Sequence, residues 1–135
     1  SKKIKWSSDG NEQKRLIGAD DEYNGANNMA KVMQIEGWRN KYPAFAWCAD
    51  LGEGWYLPTL EELWLLYKNR DVVKSKLKNI DSEYYYTSTE VDTDAKKVFA
   101  VNDFPVLLPR TVSVKQMLHR QLQILKTLPM GLYWK

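Results

Sequence analysis

Gly54-Trp55-Tyr56-Leu57-Pro58-Thr59-Leu60-Glu61-Glu62-Leu63 carries more structural information than any other ten residues of the chain. Trp55-Tyr56-Leu57 is a short apolar run closed by Pro58, whose ring disfavours helix at Leu57, so the chain there is extended. Thr59 followed three residues later by Glu62 is a capping box and marks a helix start. Leu60, Leu63, Trp64 and Tyr67 then fall at i, i+3, i+4 and i+7, one face of a helix ending near Asn69.

Working back from this element, Tyr42 to Gly52 predicts another helix, with Pro43 in its first turn and Gly52 at its end. Its faces are nearly all apolar, so it reads as buried, with Cys48 a small core residue. Further back, Asn24 or Asn27 caps a helix running to about Glu36, with Met29, Val32 and Met33 at helical spacing and Gly37 as its stop. Asp20-Asp21-Glu22 reads as a solvated acidic loop. Lys3-Ile4-Lys5-Trp6 alternates as a short strand would. Working forward, Asp71 to Leu77 suggests one more short turn of helix. Tyr84 to Glu90 and Lys97 to Val101 are rich in aromatic and β-branched residues and predict a hairpin turning at Asp92-Thr93-Asp94. Thr111 to Leu125 carries Val114, Met117, Leu118, Leu122 and Leu125 at helical spacing, and Leu132-Tyr133-Trp134 suggests a last strand. Helices followed by strands predict an α+β fold, two or three helices on a small, mostly antiparallel sheet.

The 135 residues fit a single domain, and a 44% hydrophobic content with six Trp and eight Tyr excludes disorder. Most of those aromatics belong in a core; the remainder are candidates for stacking surfaces. One cysteine excludes an intramolecular disulfide, and a single histidine, His119, excludes a Cys/His zinc cluster. No apolar run approaches the length of a membrane span. The net charge of +3 is unevenly spread. Residues 110–135 hold Arg110, Lys115, Arg120, Lys126 and Lys135 and no acidic residue, so the ending differs in character from residues 1–109.

Three elements together resemble a family of bacterial secreted domains of unknown function that includes the C-terminal domain of a collagen-like adhesin. They are Gly54-Trp55-Tyr56-Leu57-Pro58-Thr59, Glu62-Leu63 on the following helix, and Tyr85-Tyr86-Thr87-Ser88-Thr89-Glu90. Asn24-Gly25-Ala26-Asn27 and the helix with Ala46, Cys48 and Leu51 also suit the family. The resemblance covers residues 1–101. It implies a C-type-lectin-like fold, export to the bacterial cell surface, and adhesion or carbohydrate binding. Residues 102–135 lack the family's closing strands; a diverged ending and a shift of reading frame near Asn102 both account for that.

No Ser/His/Asp set is recognisable, and nothing in the spacing of Glu53, Glu61, Glu62, Glu83 and Glu90 pairs two of them across a cleft. The formylglycine-generating enzymes share the broad fold but depend on two cysteines. A non-catalytic binding or adhesion module is therefore expected, its ligand a glycan or a surface protein; the alternative is an assembly domain of a surface complex. Nucleic acid is not an expected partner. Calcium is conceivable, because Glu90, Asp92, Asp94, Asn102 and Asp103 are oxygen donors gathered on the hairpin; an ordinary hairpin turn is the favoured account of them. Tyr84 and Tyr86 share one strand face, opposite Tyr85, and could offer aromatic area to a ligand. The predicted site is thus Tyr84, Tyr86, Glu90, Asp92, Asp94, Asn102 and Asp103, with no cofactor required.

Overall fold

The computed structural model describes residues 3–8, 16–69, 71, 84–91, 97–101, 105–110 and 114–116. The architecture is α+β. Its elements are β1 (Lys3–Ile4), α1 (Gly25–Met33), α2 (Trp38–Lys41), α3 (Pro43–Ala49), α4 (Leu60–Lys68), β2 (Tyr85–Glu90), β3 (Lys97–Val101), β4 (Pro105–Pro109) and β5 (Val114–Gln116). Among the described residues there are four helices rather than two or three, the addition being the single turn α2. α1 ends at Met33 with Gln34 as its C-cap, short of the expected end near Glu36, and Gly37, at φ 74°, is the N-cap of α2 instead of the stop of α1; that left-handed conformation suits a residue without Cβ.

The sheet runs β1-β5-β2-β3-β4. All pairings are antiparallel except β2 with β5. Two strands therefore come from the ending whose pattern is unlike the rest. Val114–Gln116, expected to be helical, is instead a strand. Its residues pair with β1 on one side and β2 on the other, and such pairing overrides local periodicity. The expected helix beyond it, the short helix after Asp71 and the last strand at 132–134 lie outside the described residues.

Local signals hold well in α1 and α4. The Asn24 side chain accepts the Ala26 N–H at 3.0 Å. The Thr59–Glu62 box is complete, with Glu62 N–H donating to Thr59 Oγ1 at 3.3 Å and Thr59 N–H donating to Glu62 Oε1 at 3.0 Å. The inward face of α4 is Leu60, Leu63, Leu66 and Tyr67, while Trp64 is half-exposed beneath Lys68, whose Nζ lies 5.8 Å from the ring centroid.

The core gathers Trp6, Met29, Val32, Tyr42, Ala44, Phe45, Cys48, Tyr56, Leu57 and Tyr86. Trp6, Tyr42 and Phe45 meet edge to face, with centroids 5.1–6.5 Å apart, the arrangement their ring quadrupoles favour. Burial pushes the Cys48 thiol up to about 12, as expected of a core cysteine. Gly25 is where α1 meets the Trp55–Pro58 segment. A Cβ there would run into the Tyr56 ring and lie 2.7 Å from the Leu57 carbonyl oxygen.

Helix α3 departs from its expected burial. Ala44, Phe45 and Cys48 are buried, whereas Pro43, Ala46, Trp47 and Ala49 are half-buried. Its apolar residues cover two faces, one fully buried and the other half-buried, with Trp47 still packed against the edge of the core.

Candidate functional site

β2 is the central element, and all six of its residues are buried. It carries a bulge between Tyr86 and Glu90, where its register against β3 slips. The bulge turns Ser88 and Thr89 toward the helical side. Ser88 N–H donates to the Pro58 carbonyl at 2.8 Å, and Ser88 Oγ accepts from Asn28 Nδ2 at 2.8 Å. Thr89 Oγ1 accepts the Leu60 N–H and donates to the Asp21 carbonyl, both at 3.0 Å. These bonds join β2 to α1, to the Asp21 loop and to the start of α4.

Glu90 occupies the end of the same chain of contacts. One carboxylate oxygen accepts the Ala19 N–H at 2.8 Å; the other accepts the Ile17 N–H at 2.9 Å and Arg110 Nη2 at 2.8 Å. The side chains of Glu90 and Arg110 are 2% and 0% exposed. The Arg110 guanidinium lies 4.5 Å from the Trp6 ring centroid, and the Trp6 indole N–H donates to the Thr87 carbonyl at 2.9 Å. A charge this deep persists only with such partners.

This geometry changes the expected site. Glu90 is not available to calcium, because both its oxygens are engaged by Arg110 and backbone amides. Tyr86 is fully buried and its hydroxyl donates to the Pro109 carbonyl, so it presents no surface. Its hydroxyl pKa is raised by burial, partly opposed by the Arg110 charge. The strand does not alternate between core and solvent as expected, since its central position buries Tyr85 as well as Tyr86. Tyr84, just before the strand, is 46% exposed. Asp92, Asp94, Asn102 and Asp103 lie outside the described residues, as does His119. Among the described residues no group of three His, Cys, Asp or Glu side chains is placed to hold a metal. Asp21, in the acidic loop, is bound up locally: it accepts from Asn27 Nδ2 and from the Tyr23 and Asn24 N–H groups, each at 2.8 Å, and these bonds lower its pKa.

Among the described residues, open grooves lie beside the helices. Of the described tryptophans only Trp6 is buried; Trp38, Trp47, Trp55 and Trp64 are half-buried. Two open grooves run beside two of them, Trp55 and Trp47. The first, about 320 Å³, is walled by Ala26, Met29, Ala30 and Met33 at i, i+3, i+4 and i+7 of α1, and faces Gly52, Glu53, Gly54, Trp55 and Tyr56. The second, about 490 Å³, is walled by Pro43, Ala46, Trp47 and Asp50 at the same spacing along α3, and faces Lys3, Ile4 and Lys5. The Lys5 carbonyl accepts the Ala44 N–H at 3.1 Å, which joins that segment to the start of α3.

Arg39 lines both grooves. Its guanidinium sits 4.8 Å from the Trp38 ring centroid and donates to Asp50 Oδ1, while both partners stay exposed. An exposed pair of this kind adds little stability; it does hold a five-donor fork beside the Trp38 indole. Sequence reasoning missed this surface because it treated α3 as buried throughout. The 3–4 spacing of Pro43, Ala46, Trp47 and Asp50, distinct from that of Ala44, Phe45 and Cys48, was the signal that could have found it. Comparison with protein-family models, characterised proteins and solved structures gives no match to this chain.

Proposed function

We propose that this chain is a non-catalytic binding domain of C-type-lectin-like fold, exported to a bacterial cell surface, that takes a glycan on its tryptophan-lined helical face. The observation that carries this reading is the pair of grooves in which Trp47 and Trp55, both half-buried, flank the Arg39–Asp50 pair. Aromatic surface for stacking beside a few fixed polar groups is the chemistry saccharide docking uses. The resemblance of residues 1–101 to secreted lectin-like domains supports the same reading. No helix among the described residues is long and apolar enough to cross a membrane.

A glycan array probed with and without calcium tests the proposal. Binding that survives chelation is expected, because Glu90 is withdrawn from any calcium ligand set. Calcium-dependent binding would move the site back to the β2–β3 turn. A second reading, docking of another protein chain in a surface assembly, draws on Met33 and Leu51, which are 51% and 45% exposed. It is favoured if no glycan binds.

A further inference from the structure

Asn24 is the only asparagine of the chain that is followed by glycine. Glycine has no side chain to shield its backbone nitrogen, so at such a step that nitrogen can reach the preceding side-chain amide carbon. The fold holds both groups. The Gly25 N–H donates to Glu62 Oε1 at 3.1 Å, and Glu62 is itself fixed by the Thr59 N–H at 3.0 Å and the Tyr56 hydroxyl at 2.8 Å. The Asn24 side chain caps α1 by accepting the Ala26 N–H at 3.0 Å, and the Asn24 N–H donates to Asp21 Oδ1 at 2.8 Å. Glycine is also required at 25, because a Cβ there would meet the Tyr56 ring and the Leu57 carbonyl. The packing of α1 against the Trp55–Pro58 segment thus installs a reactive dipeptide and, through Glu62, keeps it closed.

We propose that Asn24-Gly25 is a self-modification site gated by the start of α1, closed while the Gly25 N–H rests on Glu62 and converting when that end of the helix lifts. The Gly25 nitrogen gives its proton to hydroxide and attacks Asn24 Cγ. The N–Cγ bond forms, the Cγ–Nδ2 bond breaks, and Nδ2 takes a proton from water and leaves as ammonia, giving a cyclic imide. Water then opens either carbonyl. Cleavage of the new bond leaves an ordinary aspartyl residue; cleavage of the original peptide bond reroutes the main chain through Cβ and Cγ as an isoaspartyl residue. No oxidant or reductant takes part. The aspartyl product keeps an oxygen acceptor at the cap. The isoaspartyl product inserts a methylene into the main chain just ahead of Ala26, whose helix face walls the first groove with Met29 and Met33. A transient opening is thereby written permanently into that wall, whatever ligand the groove takes.

Peptide mapping by mass spectrometry, with chromatographic separation of the aspartyl and isoaspartyl forms, follows the conversion in the full chain incubated in mildly alkaline buffer. Because only the open form reacts, the rate reports its population, and the chain in denaturing urea should convert at least about tenfold faster than the native protein. Glu62→Ala, which removes the acceptor of the Gly25 N–H, should raise the native rate about tenfold or more, while Glu62→Gln, which retains an acceptor, should raise it less. Phe45→Leu, in the core and away from Asn24, lowers global stability and should raise the rate less than Glu62→Ala does. Asn24→Ser keeps a cap and should abolish conversion at this position. In the unaltered protein the Gly25 amide should exchange with deuterium faster than the Leu63 amide, which α4 holds on the Thr59 carbonyl. Native conversion as fast as in urea overturns the gate. So does a Gly25 amide that exchanges only with the slowest amides of the chain, or a Glu62→Ala rate no higher than that of Phe45→Leu, since global unfolding alone would then expose the site. No conversion in urea overturns the site itself.

Discussion

Truncating Glu90 to alanine should be among the most damaging single changes available to this fold. The carboxylate accepts three hydrogen bonds, one from a guanidinium that is 0% exposed. Without it, Arg110 remains a buried charge lacking that carboxylate, a situation that typically costs about 3–5 kcal/mol. The Ile17 N–H sits where water can replace the lost bond; the buried Ala19 N–H does not. We therefore expect a loss of about 4 kcal/mol, a large share of the roughly 5–15 kcal/mol that stabilises a domain. In urea unfolding followed by tryptophan fluorescence, a slope near 2 kcal/mol per molar turns that loss into a midpoint lowered by about 2 M. The control is the double variant Glu90→Leu/Arg110→Met, which removes both charges. Only the unpaired Ala19 amide then remains to be charged against it, about 1–3 kcal/mol, so the double variant should be more stable than Glu90→Ala. A single-variant loss below about 1 kcal/mol, or single losses that simply add in the double variant, would refute the reasoning.

Gly25→Ala should destabilise by about 1–3 kcal/mol in the same assay, because the new methyl collides with Tyr56 and the Leu57 carbonyl, while Ala26→Gly in the next position should not reproduce the effect. Cys48 should resist thiol reagents in the native protein at pH 8 and react fully in denaturant, since it is buried and its thiol is pushed up to about 12. The same shift sets the alkaline limb. Cys48, Tyr56 and Tyr86 all bind their protons more tightly when folded, so stability should be flat below about pH 9 and fall above it, as the unfolded thiol (9.0) and then the phenols (10.0) ionise first. On the acid side Asp21 acts in the opposite sense. Its depressed pKa adds stability above its ordinary value of 3.8 that disappears as pH falls through the lower folded value, and Asp21→Asn should flatten that part of the acid-unfolding curve.

The parts of the fold legible in the sequence are those governed by neighbours in the chain. Asn24 caps α1 and the Thr59–Glu62 box opens α4 because such bonds close within three residues. The β2–β3 hairpin is legible for the same reason. Partners distant in sequence were not. Arg110 gives no sign of full burial, since arginine is normally a surface residue, and its partner lies 20 residues away. Val114 to Gln116 fits a helical period yet pairs as a strand with β1 and β2. Two residues of the expected site, Tyr86 and Glu90, drop out of it for a related reason. Tyr86 and Glu90 carry the chemistry expected of a binding hairpin, but a central strand spends that chemistry on holding the sheet to the helices, and the half-buried Trp47 lies on a helix whose apolar residues suggested only core.

The pairing of β1 with β5 bears on how the domain would behave under tension. Lys3 faces Lys115 and Ile4 faces Val114, in antiparallel register. The chain enters this ribbon at Lys3 and leaves it just past Lys115, at the same end. A pull transmitted through those two points does not shear the ribbon along its length; it peels the pair apart one hydrogen bond after another, a geometry with little mechanical resistance. The next contacts to feel the load are the Trp6 and Ser7 amides on the Arg110 carbonyl. The buried ion pair thus stands directly behind a weak seam, as the point where peeling gives way to holding.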